Sequence, residues 1–564
     1  MGMDRIAVDV VRHAAIYASE EMGVVLRNTA YSPNIKDRSD HTCAILTPEG
    51  DLVAQAEHIP VHIGSMAVGV KAAVVYLRRE GEDLEPGDVV AVNDPYIAGT
   101  HLNDVMLLKP VYSRGRMVAI VANKAHHVDI GGLHPGSIGG SARELLQEGL
   151  IIPPVKISRR GRLDDGLLRL LESNVRTPRY LRGDLKAQLA ALNVGERRIA
   201  ELASRYGEEF LLEAWRDILG HAEAYARRRI EDLGVEGVWS AEDVLELSGG
   251  EAVVKSTLSI LAGGRVRVDF TGTSPQVDEP VNAVYGVTVA ATTFALKTVV
   301  DPDMPVNQGF FRAVEIEAPE GSIVNPRRPA PVSGGNTETS QRIADVVFMA
   351  LAKALPGRVP AASCGSMTNV MLGGPGWAFY ETVACGEGAR PVRDGYDGVH
   401  TNMTNTLNTP IERMETEYPV LFVRYELRAD SEGPGRWRGG LGVVRAFKLT
   451  GGRATLTLYA QRCRTRPWGL EGGSPGEPAA HYLVKKDGSR VELGCVATVE
   501  MEEGDTVYIQ TPGGGGYGDP CIRDRTLLER DLREEKVSPE RAASKYCYNS
   551  GAPKTETSQV DPTG

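Results

Sequence analysis

Among the seven cysteines of this 564-residue sequence there is no CxxC pair. Cys43, Cys364, Cys385, Cys463, Cys495, Cys521 and Cys547 are odd in number and widely scattered, so their spacing predicts neither a disulfide framework nor a zinc knuckle, and a reducing cytoplasm is the expected compartment. A long hydrophobic run is missing from the start of the chain. MGMDRIAVDVVRHAAIYASEEMG is broken by charges every few residues and cannot be the apolar core of a signal peptide or membrane span. MGMDRI also lacks the Ser or Thr that a myristoylation signal on Gly2 needs, so an unprocessed, unanchored chain is expected. Excess positive charge is absent too: the net charge is -11, with no interleaving of basic and aromatic residues, which argues against nucleic acid as a partner. No GxSxG, HExxH or GxGxxG stands in a fitting context, which leaves serine hydrolase, zincin and dinucleotide-binding readings without a basis. TPGGGGYGDP, Thr511 to Pro520, lacks the Lys-Ser/Thr that completes a phosphate-binding loop and reads instead as a glycine-rich turn or close-packing segment.

What is present is an ordinary globular composition, with 42% hydrophobic and 24% charged residues, in a chain too long for one core. The pattern predicts a multidomain α+β protein with a β-rich C-terminal half. An opening amphipathic helix is expected from Ile6, Val10, Ala14, Tyr17 and Ala18, ending before Ser32-Pro33. Short strands are expected at TCAILTPEGDLVAQA, LEPGDVVAVND and GRMVAIVAN, with a helix over 64–80. Helical sequence follows from Asp184 to Leu233, where Ile199, Leu202, Tyr206, Phe210, Trp215, Ile218, Ala222 and Tyr225 trace an apolar face that is read as core or docking surface. Strands with a Gly263-Gly264 turn take over near residue 235. The expected units are 1–235, with a metal site and the helical segment 184–233; 236–420, mixed α/β; 421–525, β-rich; and 526–564, a charged, helix-prone tail whose last residues have the composition of a disordered end.

His13, His41, His58, His62, His101, His126, His127 and His134 all fall in the first quarter of the chain. The densest part, NDPYIAGTHLNDVMLLKPVYSRGRMVAIVANKAHHVDIGG, sets His101, Asp104, His126, His127 and Asp129 around an expected strand, where side chains from separate elements can converge. Neutral imidazole and carboxylate are divalent-metal ligands, and a catalytic site uses about three of them and leaves a position open for water. Asp40 is a fourth candidate. The same residues equally suit histidines satisfied by hydrogen bonds in a core or on a surface. In an extended segment His126 and His127 point to opposite faces, so one ligates and the other does not. Asp129 either supports a ligand or caps the turn before Gly131-Gly132. SGGNTETSQR, Ser333 to Arg342, places Asn336, Glu338 and Arg342 ahead of an expected helix, as helix caps or as contacts to substrate or partner.

Together, NTAYSPNIKDRSDHTCAI, HIPVHIGSM, NDPYIAGTHLNDV, HHVDIGG, VDFTGTSPQV, SGGNTETSQR, TNMTNTLNTPIERMETEYP and TPGGGGYGDP resemble the hydantoinase B/oxoprolinase family, from residue 28 to 520. The resemblance implies one divalent metal (Zn, Mn or Fe) on Asp40, His101, Asp104 and His126, with Asp37 competing with Asp40, and a catalytic metal-bound water held by His101, Asp104 and His126. It also implies ATP-dependent opening of a hydantoin, lactam or 5-oxoproline ring. ATP and Mg would sit on a hydantoinase A-like partner subunit, in a hetero-oligomer of the α2β2 type. The alternatives are a subunit of a ketone carboxylase of the acetone or acetophenone type, and a non-catalytic scaffold with a structural metal.

Overall fold

The computed structural model describes residues 4–56 and 58–548, so Gly2 and the expected disordered end from residue 549 lie outside the described residues. Seven strands, β1 (His41–Leu46), β2 (Leu52–Gln55), β3 (Val89–Val92), β4 (Asp104–Ser113), β5 (Arg116–His126), β6 (Val155–Arg159) and β7 (Arg162–Leu163), make one sheet in the order β2-β1-β5-β4-β3-β6-β7. All neighbours are antiparallel. Arg114 and Gly115, both at positive φ, turn β4 back into β5.

Both faces of this sheet are covered. Cys43, Ile45, Val105, Leu107 and Val121 point to a core built with the helices Arg5–Thr29, Pro178–Tyr206 and Glu208–Glu231. Ala44, Leu46, Met106, Leu108 and Ile120 point the other way, onto Met66, Val70, Val74 and Leu77 of the helix Ser65–Arg79. Burial on both sides is why these strands read as continuous apolar runs and not as alternating ones. The segment Pro60–Arg79 is long and apolar enough to cross a membrane by length and composition, but 67% of its apolar window is buried against the sheet.

The opening helix forms as expected, over Arg5–Thr29, but presents a different face to the core. Its buried side is Val8, Val11, Ala15, Ala18, Met22 and Leu26, whereas Ile6 and Tyr17 are 77% and 73% exposed. Small residues decide this face: Gly195 of the Pro178–Tyr206 helix lies where an added Cβ would come within 2.4 Å of Met22 Sδ, so the two helices cross in near contact. The helical stretch expected as one run over 184–233 is two helices, broken at Gly207 (φ 88°). Of its apolar face, Ile199, Trp215, Ile218 and Ala222 are core, and Tyr225 is exposed.

A second sheet, Gly237–Leu247, Gly250–Leu261, Arg265–Asp269 and Val314–Glu317, turns at Gly263-Gly264 and packs under the helix Ser340–Ala354. It shares its core with the first sheet's helices. The third sheet joins Asn369–Gly374 and Trp377–Thr382 to Arg453–Tyr459 and Val496–Glu502, so strands from both sides of residue 420 pair directly. The fourth sheet, of five strands between Val420 and Gln510, packs on the third through Val370, Leu372, Phe447, Leu456 and Val507. Gly513 to Gly516 run on from this sheet as a close-packing segment. A Cβ on Gly514 would lie 2.0 Å from Glu387 O, while Gly514 N–H donates to Gly440 O at 2.9 Å and Gly514 O accepts from Gly433 N at 2.7 Å.

The cysteines correct the expectation from spacing. Cys364–Cys385, Cys463–Cys495 and Cys521–Cys547 are disulfides, and the odd one, Cys43, is a buried free thiol. The partners are 21, 32 and 26 residues apart and are brought together by folding, which no short-range spacing could reveal. A reducing compartment therefore has no support from the cysteines. Closing loops of this size stabilises the fold by about 3 to 4 kcal/mol per bridge in the chain-entropy account. Titration of thiols in denaturant is expected to find one per chain without reductant and seven after reduction; seven before reduction would contradict the pairing.

Candidate metal centre

The register of the first sheet builds the centre. Asp104, the first residue of β4, stands directly opposite His126, the last of β5. Asp40 precedes β1, and its carbonyl accepts from His126 N–H at 3.1 Å. His101 sits in the turn that leads into β4, closed by Asp104 N–H to His101 O at 3.1 Å. One donor atom each from His101, Asp104 and His126 lies within 4.8 Å of the others, and all three residues are buried.

Each of the three presents an atom with no hydrogen-bond partner: His101 Nε2, Asp104 Oδ1 and His126 Nε2. Their other atoms are held. His101 Nδ1 is 3.3 Å from Ser333 O, which fixes the tautomer with the lone pair on Nε2. Asp104 Oδ2 is 3.3 Å from His62 Nε2. His126 Nδ1 is 3.1 Å from the Asn34 side-chain amide; with that amide turned so that its oxygen accepts, the His126 lone pair also lies on Nε2. The His126 ring is stacked on Tyr380, with centroids 4.6 Å apart. His101 Nε2 and Asp104 Oδ1 are 3.4 Å apart without a hydrogen bond, and two ligands of one tetrahedral ion at about 2.1 Å lie about 3.4 Å from each other. Buried polar atoms are normally paired, so three orphans converging on one point fit a divalent cation.

The electrostatics couple these groups, and without a cation they favour a proton shared between His101 and Asp104. Burial disfavours the Asp104 carboxylate, but His101 and His62 outweigh it and hold its pKa well below the ordinary value. For His101 burial favours the neutral ring, and Asp104 outweighs it and raises the pKa. For His126 burial, reinforced by His101, keeps the imidazole neutral. Asp40 lines the same pocket; burial, opposed by Arg38 at 4.0 Å and reinforced by Asp104, pushes its pKa up to about 7. Asp37 instead faces Arg413 at 2.5 Å.

The remaining sequence candidates separate. His127 points to the opposite face, with Nε2 3.0 Å from Gln188 Oε1. Asp129 accepts from Gly131 N, Gly136 N and Arg176, so it organises a turn and does not support a ligand. Asn336 lines the pocket with an unpartnered Oδ1. Arg342 is tied to Asp243 and Asp345, each at 3.0 Å. Glu338 accepts from Met367 N and Asn369 Nδ2, and burial pushes its pKa up to about 8. None of these caps the Ser340–Ala354 helix, whose start is a π turn over Gly335–Thr339. Sequence reasoning missed His62, Asn34, Tyr380 and the threonine wall of Thr337, Thr382, Thr404 and Thr406. His62 lies in HIPVHIGSM, and Thr404 and Thr406 in TNMTNTLNTP, so those segments carried the signal without saying which atom used it. The open space in the pocket is about 10 Å³, room for about one water. Larger surface grooves lie near Trp215 and near Tyr225; the second holds His221 and Asp217, but among the described residues neither brings three His, Cys, Asp or Glu donors within 4.8 Å of one another.

The hydantoinase B/oxoprolinase profile matches residues 4–520. The chain belongs to that family. It is 53% identical over 545 residues to an uncharacterized protein of Methanocaldococcus jannaschii, covering 96% of each. It is 36% identical to 5-oxoprolinase 1 of Arabidopsis thaliana over 91% of this chain, but spans only 42% of that protein. The crystal structure of the ATP-dependent caprolactamase from Pseudomonas jessenii superposes with a TM-score of 0.92 at 29% identity, covering 98% of both chains. An acetone carboxylase structure shares the fold at a TM-score of 0.90 and 18% identity, covering 96% of this chain and 79% of that one.

Glu338 gives the test of this electrostatic picture. Its folded pKa, about 8, exceeds the ordinary 4.5, so between those values the folded state binds more protons than the unfolded and stability falls as pH rises. Glu338→Gln removes that slope. Thermal unfolding from pH 5 to 8 is expected to move the variant progressively above wild type as pH rises, and a constant gap would refute the assignment.

Proposed function

We propose that this chain is the metal-bearing part of an ATP-dependent cyclic-amide hydrolase, opening a hydantoin, lactam or 5-oxoproline ring together with a hydantoinase A-like ATP-binding partner. The observation that carries the metal reading is the convergence of three buried, unpartnered donor atoms from His101, Asp104 and His126. The kinship with the caprolactamase and with 5-oxoprolinase 1 supports the reaction class. The 42% of the Arabidopsis protein that this chain spans supports a division of labour in which the rest of the machinery lies elsewhere.

An amide carbonyl is a poor electrophile. In this reading the partner uses ATP to phosphorylate its oxygen, and the activated carbon is then attacked at the centre in this chain. His101, Asp104 and His126 would hold a divalent ion, with Asp40 adding negative charge beside it. Such an ion supplies Lewis acidity, lowering the pKa of a water from about 15.7 towards about 7 so that hydroxide is available at neutral pH. The chain's own residues prepare the place for it. Ser333 O holds His101 with its lone pair inward, the Asn34 amide would do the same for His126 with its oxygen turned to Nδ1, and Tyr380 stacks on the His126 ring. Asp40, whose pKa burial pushes up to about 7, would carry its negative charge beside a bound cation. Ile59, Val61 and Met367 keep bulk water out, and the threonine hydroxyls offer donors and acceptors to the polar edge of a cyclic amide. Ring opening breaks the C–N bond, the ring nitrogen takes a proton, and phosphate is released.

Elemental analysis of the purified protein is expected to find about one divalent metal per chain, lost in His101→Ala and kept in His127→Ala, both folded. Metal that stays substoichiometric after reconstitution of folded protein would sink the reading. Equal loss in both variants would mean that the wrong histidine has been placed at the centre.

Activity is expected only with the partner. No phosphate-binding loop with its lysine lies in the sequence, and an unactivated amide keeps its full barrier. Separately purified partner and chain, mixed with a cyclic amide, are expected to hydrolyse ATP in step with ring opening. ATP-independent ring opening by the chain alone would refute the division of labour.

A further inference from the structure

Asp104 offers two oxygens, and the surroundings treat them differently. Oδ1 has no hydrogen-bond partner and faces His101 Nε2 at 3.4 Å, whereas Oδ2 is 3.3 Å from His62 Nε2. His62 is fully buried and closes the turn Pro60–His62 just ahead of the Ser65–Arg79 helix. Its other nitrogen, Nδ1, is 3.0 Å from Thr42 Oγ1 on β1. The Thr42 hydroxyl also lies 2.9 Å from His41 O, so its one proton can turn to either neighbour. If it turns to Nδ1, the ring is neutral with its proton on Nε2; if it turns away, Nδ1–H donates to Thr42 and the ring carries both protons. In both arrangements Nε2–H faces Asp104 Oδ2, because a carboxylate oxygen can only accept.

We infer that His62 is a positioning residue: held by Thr42, it occupies Oδ2 of Asp104 and so turns the single free oxygen, Oδ1, towards His101 and His126 as a one-oxygen ligand. This rests on the metal reading above and extends it to a residue outside the ligand set. The physical reason is geometric. A free carboxylate rotates about its Cβ–Cγ bond and can present either oxygen or both, which admits larger ions with more oxygen ligands as readily as a compact site. With Oδ2 engaged, rotation breaks a buried hydrogen bond to a charged acceptor, and the centre keeps two imidazoles and one oxygen in a fixed array. The chain Thr42–His62–Asp104 also links three elements, β1, the Pro60–His62 turn and β4, so the aim of the ligand is set by the packing of the sheet against the turn and not by a loop.

The alternative is that His62 is itself a ligand or merely fills space, and the choice of substitutions separates these. His62→Gln keeps an N–H donor near the place of Nε2 but is a poor metal ligand; His62→Leu keeps bulk and removes the donor; Thr42→Val frees Nδ1 only. The full-length chain is stripped with chelator, its fold is checked by thermal unfolding, and Zn2+ and Mn2+ affinities are measured by chelator competition. His62→Leu is expected to bind about 10- to 100-fold more weakly than wild type, His62→Gln within about threefold of it, and Thr42→Val a few-fold more weakly. If the leucine variant fails to fold, His62→Asn, whose amide is too short to reach the position of Nε2, takes its place and should fall as far. Unchanged affinity in the variant without the donor overturns the inference alone. A glutamine variant as weak as the leucine variant also overturns it, since that is the result for a ligand. A wild-type chain that binds neither metal overturns the metal reading and this inference with it.

Discussion

One antiparallel register, Asp104 against His126 across β4 and β5, is the constraint on which the centre depends. It places a carboxylate and an imidazole from residues 22 positions apart in sequence side by side at the end of a sheet buried on both faces. A slip of one residue would exchange His126 for Ala125 or His127 at that position and send the ring to the opposite face. The register cannot slip, because the same strands bury Val105 and Leu107 on one face and Met106 and Leu108 on the other, and both sets would be misplaced together. The juxtaposition of Asp104 and His126 is thus a by-product of core packing, and its precision comes from a sheet buried on both faces.

That placement carries an electrostatic burden which the surroundings answer group by group. Asp104 and Asp40 are two carboxylates in one buried pocket, and they settle it differently: Asp104 keeps its charge because His101 and His62 outweigh its burial, while burial, aided by Asp104, pushes Asp40 up to about 7 against the opposing charge of Arg38 4.0 Å away. Like charges in a low-dielectric site cannot both ionise freely. The pocket as it stands holds less negative charge than its carboxylates could supply, and the shortfall is what a divalent cation would release. The unpartnered Nε2 atoms of His101 and His126 belong to the same argument, since a buried lone pair without a partner is costly unless something is meant to occupy it.

How much of this the sequence disclosed depended on the range over which each property is decided. The opening helix, the helix over 64–80, the strands around the histidine-rich stretch and the Gly263-Gly264 turn are local, and their periodicity was enough. The alternation rule also foretold that His126 and His127 would part, and they do, towards the pocket and towards Gln188. The face of the opening helix was not legible, because it is chosen by helices distant in sequence, Met22 lying against Gly195 some 170 residues on, while Ile6 and Tyr17 stay exposed. The disulfides failed for the same reason: separations of 21 to 32 residues look like scatter until the C-terminal sheets fold. Nor could the sequence pick His62 out from His41 and His58, since its distinction is one contact to Asp104 made across the fold.

The two halves of the chain divide the pocket between them. The N-terminal sheet supplies His101, Asp104, His126 and Asp40, whereas Met367, Tyr380, Thr382, Thr404 and Thr406 come from the C-terminal half, on or beside the third sheet. Arg38 joins the halves, donating to Tyr380 O at 3.2 Å and to Thr382 Oγ1 at 3.0 Å, and lying over the Tyr380 ring at 4.7 Å. Donors fixed by a sheet and walls drawn from loops and strand ends are free to vary separately: a change at Thr404 or Thr406 alters what the pocket accepts without disturbing the register that sets the donors. The family's relatives include a 5-oxoprolinase and a caprolactamase, and in the function proposed above walls that vary apart from the donors would let one centre take rings of different size and polarity.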